Sequence, residues 1–205
     1  MFHVKHEAWV PAAREIGLEL PEAAPELLDR YLELLVDRAA PLGMIAGADL
    51  PRIVPRHVLD ALRGAVLMPD HAVSVCDLGS GAGLPGIPLA IARPSDAVTL
   101  VEARRNRAAF LELTVDSLHL EGVTVFIGRV EGVAGPFDVC LARAFAGPTE
   151  TWRAARDLLA PGGSLLYWAG ERFRPADVVD RDVSVTTVPN AGLAGSGPIV
   201  MMTRQ

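Results

Sequence analysis

Residues 72–86 constrain this chain more than any other stretch: Ala72-Val-Ser-Val-Cys-Asp77-Leu-Gly79-Ser-Gly81-Ala-Gly83-Leu84-Pro85-Gly86. An apolar, β-branched run ends in an acidic residue, and three alternate glycines lead into a segment whose first turn carries Pro85 and Pro88. That order predicts a strand, a tight turn and a helix N-terminus. Glycine is needed in such a turn because the backbone must take positive φ and let a ligand approach where a Cβ would collide.

The glycines can be read in two registers. Gly81-x-Gly83-x-x-Gly86 matches the dinucleotide fingerprint, in which the helix N-terminus faces a pyrophosphate. Anchored at the strand end, the pattern is instead Asp77-x-Gly79-x-Gly81-x-Gly83, and an acidic residue there is ill suited to a nearby phosphate. A carboxylate suits a zwitterionic or cationic ligand better, such as the aminoacyl sulfonium of S-adenosylmethionine. That cofactor is favoured, with a dinucleotide, or a glycine turn that binds no ligand, as the alternatives. A second strand, Ala97–Val101, ends in Glu102, 21 positions after Gly81. It is placed to accept hydrogen bonds from a ribose diol, which both cofactors carry.

From residue 73 the chain alternates strand and helix. Strands are predicted at 73–78, 97–102, 123–127, 137–142, 163–168, 183–188 and 198–203, and helices at 85–93, 104–119 and 149–159. Such alternation demands an α/β fold with a mostly parallel sheet covered on both faces. The last two strands have no room for a helix between them and should form an antiparallel hairpin at one edge. Seven strands ending in that hairpin are the pattern of Rossmann-like class I methyltransferases. Upstream, Pro25–Arg38 repeats apolar side chains at three- and four-residue steps, Ala8–Leu18 does so more loosely, and a further helix begins after Pro55. Residues 1–68 are thus expected to form an N-terminal helical extension packed on a methyltransferase domain at 69–205, the whole a single globular unit.

No apolar run reaches the roughly 18 residues of a membrane span, and no apolar stretch follows Met1-Phe-His-Val-Lys-His as in a signal peptide. A cytoplasmic protein is expected. Cys76 and Cys140 lie in apolar runs without metal-ligand spacing, so reduced core cysteines and no metal are expected. The net charge of -6 is uneven: the first fifty residues carry 4 basic and 9 acidic side chains, the remainder 15 and 16. Lys5 is the only lysine. Arginine suits phosphate and base-edge contacts, but the balance of charge by itself neither requires nor excludes RNA.

Ligands of open parallel sheets bind beyond the carboxyl ends of the strands. Besides Asp77–Gly83 and Glu102, this directs attention to Gly128-Arg129-Val130-Glu131, where an adenine could lie, and to Ala142-Arg143-Ala144-Phe145, which should face an acceptor. At these residues the chain resembles the bacterial 16S ribosomal RNA guanine-N7 methyltransferases once called glucose-inhibited division protein B. The resemblance runs from about Pro41 to the C-terminus. It rests on Arg56-His57-x-x-Asp60, on Asp77-Leu-Gly-Ser-Gly-Ala-Gly-Leu-Pro-Gly-Ile-Pro-Leu89, on Arg107-x-x-Phe110-Leu111, on Gly128-Arg-Val-Glu131 and on Arg143-Ala-Phe145. It implies that Gly79, Leu84, Val130, Glu131 and Arg143 contact the cofactor. This chain has Trp168-Ala169-Gly170 where the family usually carries Lys-Gly, Ala142 where it has serine, and Pro41-Leu42-Gly43 where it has Asn-Leu-Thr. The family's late Arg-His is replaced around Gly197-Pro198.

The resemblance implies methyl transfer to 16S rRNA, free or in an assembling small subunit, by a protein expected to be a monomer. Guanine N7 carries a free lone pair, so no general base is needed, and alignment of nucleophile, methyl carbon and sulfur supplies the catalysis. Arg143 is the catalytic candidate, meeting either guanine O6 or the methionyl carboxylate of the cofactor. Phe145 could stack on an unpaired guanine. RNA phosphates are expected at Arg52, Arg56 and His57 on one side and at Arg172 and Arg174 on another. His57 has an alternative role in orienting a helix junction through Asp60. Arg104, Arg105 and Arg107 are read as a solvated helix face. A small-molecule or protein acceptor, or a cofactor-binding protein without turnover, are the competing functions.

Overall fold

The computed structural model describes residues 8–190, 193 and 195–204. The opening residues, expected not to form a signal peptide, lie outside them. In the N-terminal region α1 (Trp9–Glu15) is tied to α2 (Ala24–Leu34) by a 2.6 Å hydrogen bond from Trp9 Nε1 to Asp29. Helix α2 buries Ala24, Pro25, Leu28, Tyr31 and Leu32, the three- and four-residue spacing of one helical face. It then widens into a π-helical turn at Leu35–Ala39, so the single helix expected as far as Arg38 has two parts. A second π-helical turn, Val54–Leu59, runs into α3 (Asp60–Leu62).

The remainder alternates as expected: β1 (Ser74–Leu78), α4 (Gly86–Ala92), β2 (Ala97–Glu102), α5 (Arg105–Leu118), β3 (Val123–Ile127), β4 (Phe137–Arg143), α6 (Pro148–Arg156), β5 (Leu159–Trp168), β6 (Val183–Val188) and β7 (Ile199–Arg204). The strands form one sheet in the order β3-β2-β1-β4-β5-β7-β6. Only β7 runs against its neighbours, inserted between β5 and the edge strand β6. Strand order reverses between β1 and β4, where a doubly wound sheet opens its crevice.

Strand β5 starts four residues earlier than expected. Leu159 pairs with Phe137, but the next pair is Ser164 with Val139, so Pro161-Gly162-Gly163 is absorbed as a bulge. Gly162 takes φ +80, and a Cβ on Gly163 would stand 2.9 Å from the Asp138 carbonyl. The glycines bend the strand here where the sequence suggested a break before it.

Each sheet face carries its own core. On one, Leu28, Leu35 and Leu62 of the extension share a cluster with Val75, Leu100, Leu141 and Leu166 of the sheet. On the other, Cys76, Leu78, Val101 and Cys140 pack with Trp152 of α6. Both cysteines are free and buried, paired in register across β1 and β4. Among the described residues no helix is long and apolar enough to cross a membrane, and no cluster of metal-ligating side chains occurs.

Trp168, at the end of β5, locks the extension onto the sheet. Its indole N–H donates to the Asp60 carbonyl at 2.8 Å, and its six-membered ring lies against Gly64, where an added Cβ would be 2.6 Å from Cη2. Gly64→Ala should therefore destabilise the protein by about 1–3 kcal/mol through overpacking. Urea denaturation of the two proteins measures this, and an unchanged midpoint would show that the ring is not held there.

Candidate active site

The turn after β1 needs its glycines for three different reasons. Gly79, Gly81 and Gly83 take φ of +69, +58 and +87, a region that costs other residues roughly 1–2 kcal/mol each. A Cβ on Gly79 would meet the Phe145 ring at 2.9 Å, and one on Gly83 would meet Ile87 at 2.5 Å, so these two glycines permit close packing. Around Gly81 nothing lies nearer than 3.8 Å to such a Cβ. There the turn faces open space.

The two strand-end carboxylates differ in role. Glu102 accepts from the Gly81 N–H at 3.1 Å and the Arg104 N–H at 2.8 Å, and lines the cleft in front of the turn. Asp77, expected beside the cofactor, lines no part of that cleft. It is 1% exposed and lies under the turn, where Oδ2 accepts from the Gly86 N–H at 3.1 Å and Oδ1 has no partner. It is a strut for the N-terminus of α4. Burial raises its pKa to about 7, outweighing the Gly86 N–H bond that lowers it.

Three cavities meet at the carboxyl ends of β1, β2, β4 and β5. The first, of about 510 Å³, is lined by Gly79, Glu102, Val130, Glu131 and Phe145, with Arg107 on its wall. The second, of about 640 Å³, lies over β4 and β5 and is lined by Arg56, Arg143, Tyr167, Trp168 and Arg172. A smaller one of about 230 Å³ contains His57, Gly81, Leu84 and Arg143. Ala144, at φ +53, lines all three.

The cofactor candidates Gly79, Glu102, Val130 and Glu131 thus come together, with Gly81 and Leu84 in the adjoining small cavity. Gly83 supports the turn from behind. Phe145 stands over Gly79 in the first cleft and not in the second cavity, where a stacked acceptor base was expected. Arg104 and Arg107, expected as a solvated helix face, line the first cleft. Their place at the N-terminal end of α5 was their only sequence signal.

Arg143 occupies the corner between the second and the small cavity. Its Nη2 donates to the Arg56 carbonyl at 2.9 Å and contacts His57 Nδ1 at 2.8 Å, while Nη1 donates to the His57 carbonyl at 3.4 Å. His57 is therefore turned inward and not offered to an RNA phosphate. Nor does it bond Asp60, which pairs with Arg63 at 2.6 Å. Burial, then the neighbouring Arg143, lowers the His57 pKa to about 4. Of the other expected phosphate ligands, Arg52 and Arg56 pair with Asp49, and Arg174 with Asp177. Arg56 and Arg172 still line the second cavity.

Residues 24–186 match the family described as rRNA small subunit methyltransferase G. The chain belongs to that family. It is 43% identical over 164 residues to "Ribosomal RNA small subunit methyltransferase G" of Thermobifida fusca, covering 78% of this chain and 67% of that one. The protein of the same name from Mycolicibacterium paratuberculosis is 36% identical over 212 residues, covering 93% and 84%. The Streptomyces coelicolor relative is 42% identical over 148 residues, but the chain spans only 60% of its length. Among solved structures, an O-methyltransferase from Bacillus cereus in complex with SAH superposes with a TM-score of 0.61 at 16% identity, covering 98% of this chain and all of that one. The O-methyltransferase TomG from Streptomyces achromogenes gives 0.58 at 17% identity and 99% coverage. These two share the fold of this chain, the seven-stranded, mostly parallel architecture with an antiparallel C-terminal hairpin expected from the sequence.

The buried carboxyl of Asp77 makes stability depend on pH. In the unfolded chain it ionises near 3.8, and in the fold near 7. Between these values the folded state holds the extra proton, so its contribution to stability is lost as pH rises and the loss is complete above about 7, at no more than about 1.4 kcal/mol per pH unit. Asp77→Asn removes this cost. Urea denaturation should show the variant gaining on the wild type by on the order of 2 kcal/mol between pH 5 and pH 8; a gap independent of pH would contradict the buried carboxyl.

Proposed function

We propose that this chain transfers the methyl group of S-adenosylmethionine to N7 of a guanine in 16S rRNA, acting as a cytoplasmic monomer on the RNA or the assembling small subunit. The observation that carries this reading is the corner formed by Arg143 and Ala144. It joins a cleft suited to the cofactor with a separate cavity over β4 and β5 suited to an acceptor.

The residues of the first cleft fit the cofactor. Glu102 uses one lone pair on each oxygen for backbone N–H groups and keeps others for a ribose diol. Val130 and Glu131 offer an apolar wall and an acceptor for adenine, and the open face of Gly81 leaves room for the aminoacyl group. Asp77 lies under the turn and does not face a ligand; the carboxylates that do, Glu102 and Glu131, suit a diol and an amine better than a pyrophosphate. Bound there, the cofactor supplies a methyl carbon made electrophilic by its sulfonium.

The chain's own contribution is alignment. Guanine N7 attacks with its free lone pair, so no side chain has to remove a proton, and holding donor and acceptor in line supplies most of the rate. Arg143 must leave N7 free, and its place at the corner suits donation to guanine O6, the neighbouring acceptor on that edge. Arg56 and Arg172 add positive charge to the walls of the acceptor cavity, matching a polyanionic substrate.

The test is transfer of labelled methyl from S-adenosylmethionine to small subunits of an unmodified strain, followed by nucleoside analysis. Label in 7-methylguanosine is expected. Label in another nucleoside or in protein, or binding without transfer, would replace the guanine-N7 reading by the competing ones. Arg143→Ala should lower turnover about 100-fold or more, a loss in the range for removing one preorganised donor, and keep the fold at a stability cost of about 1–3 kcal/mol for the Arg56 and His57 carbonyls left without their donor. Gly81→Val places a branched side chain at φ +58 in the open face of the turn. Calorimetry with S-adenosylhomocysteine should detect no binding to it.

A further inference from the structure

The strand that carries Arg143 does not hold its guanidinium; the N-terminal extension does. Two backbone carbonyls, Arg56 and His57, take N–H groups, the hydrogen-bonding side chain is His57 through Nδ1 at 2.8 Å, and Asp60 Oδ2 adds an ion pair at 3.8 Å. A guanidinium only donates, so His57 Nδ1 must be the acceptor and the ring hydrogen must sit on Nε2. That nitrogen is buried without a hydrogen bond and lies 3.6 Å from Asp49 Oδ2. The second Asp49 oxygen is held by Arg52 at 3.3 Å and Arg56 at 3.1 Å. The geometry points to His57 as a positioning residue for methyl transfer, its neutral ring oriented by Asp49 and fixing Arg143 at the corner of the acceptor cavity.

A long arginine side chain held by one partner samples several rotamers, each of which moves the charged head by ångströms. Here Asp49 and His57, eight positions apart, act in series on the guanidinium of Arg143, 86 positions beyond His57. Three of its five N–H groups are occupied, leaving Nε–H and one Nη1–H without a protein partner among the described residues. Those two are available to a substrate oxygen. Protonation of His57 would set N–H against N–H and cation against cation. Arg143 and Arg56 oppose that protonation and Asp49 favours it, while Asp60 and Tyr31 face the guanidinium itself. The inference rests on the reading of this corner as the methyl-transfer site, so one readout must be independent of activity.

His57→Ala, His57→Asn and His57→Gln are compared with the wild type for urea midpoint, S-adenosylhomocysteine affinity, and kcat and KM on unmodified small subunits. Asparagine Oδ1 stands near the place of Nδ1, whereas glutamine Oε1 stands near Nε2. Expected are a kcat loss of about 10- to 100-fold in His57→Ala and His57→Gln, recovery to within a few-fold in His57→Asn, and unchanged cofactor affinity. Equal impairment of His57→Asn and His57→Ala, or wild-type kcat in His57→Ala, overturns the inference. Independently, ¹⁵N spectra of histidine-labelled protein, assigned by the loss of one signal in His57→Asn, should show the Nε2–H tautomer unchanged from pH 7.5 to 5.5, with ordinary titration returning in Arg143→Met. A His57 that titrates near 6.5 in the wild type also overturns it. A wild type that methylates nothing defeats the proposed function, and the spectra still decide whether His57 holds Arg143.

Discussion

Three hydrogen bonds from three different elements hold the turn between β1 and α4, and the geometry of the whole carboxyl edge follows from them. Glu102 at the tip of β2 takes the Gly81 N–H, Asp77 of β1 takes the Gly86 N–H, and Tyr31 of α2 donates to the Ala82 carbonyl at 2.8 Å. Each contributes on the order of 1 kcal/mol. Their value lies in direction: Gly81, Gly86 and Ala82 are pinned from the front, from below and from the extension. A turn fixed on three sides presents a fixed cleft, and Phe145, packed over Gly79, carries that position across to the end of β4.

Much of this fold could be read from the chain because its strands are short β-branched runs bounded by turn residues. Strands β2, β3 and β6 begin and end where the sequence placed them, and the missing helix between β6 and β7 dictated an antiparallel hairpin. What escaped was local geometry without a periodic signature. The π-helical turns at 35–39 and 54–59 look like ordinary helix in sequence, and Gly162-Gly163 looks like a terminator when it is a bulge inside β5. In the site, position along a strand was legible and facing was not. Asp77 and Glu102 both end strands before a turn, yet one carboxylate enters the cleft and the other supports α4. The partnership of His57 with Arg143 spans 86 positions and leaves no local trace, whereas the nearer candidate, Asp60, is already taken by Arg63.

Trp168 shows how a departure from the family pattern can be accommodated. A lysine at the end of β5 would add a cation beside the acceptor cavity. Here Ala169 stands before Gly170 in that place, and the indole of Trp168 beside it packs on Gly64 and bonds the Asp60 carbonyl. The positive charge of the cavity then comes from Arg56, Arg143 and Arg172. Two acidic side chains, Asp60 and Glu171, share those walls, Asp60 being paired with Arg63, while no acidic side chain of α1 or α2 lines any of the three cavities. Charge counted over the whole chain and charge met by a ligand are different quantities, and only the second bears on an RNA substrate.

Ala144 concentrates the remaining strain of the site. A non-glycine residue at φ +53 costs roughly 1–2 kcal/mol, and such a conformation persists only where its surroundings over-determine it. They do so here: Arg143 before it is anchored by the extension, and Phe145 after it is packed on the glycine turn. Relaxing Ala144 would release one anchor or the other. The strained residue is thus what lets a single strand end send one side chain to the acceptor cavity and the next into the cofactor cleft. Its methyl group is small enough to leave all three cavities open to one another.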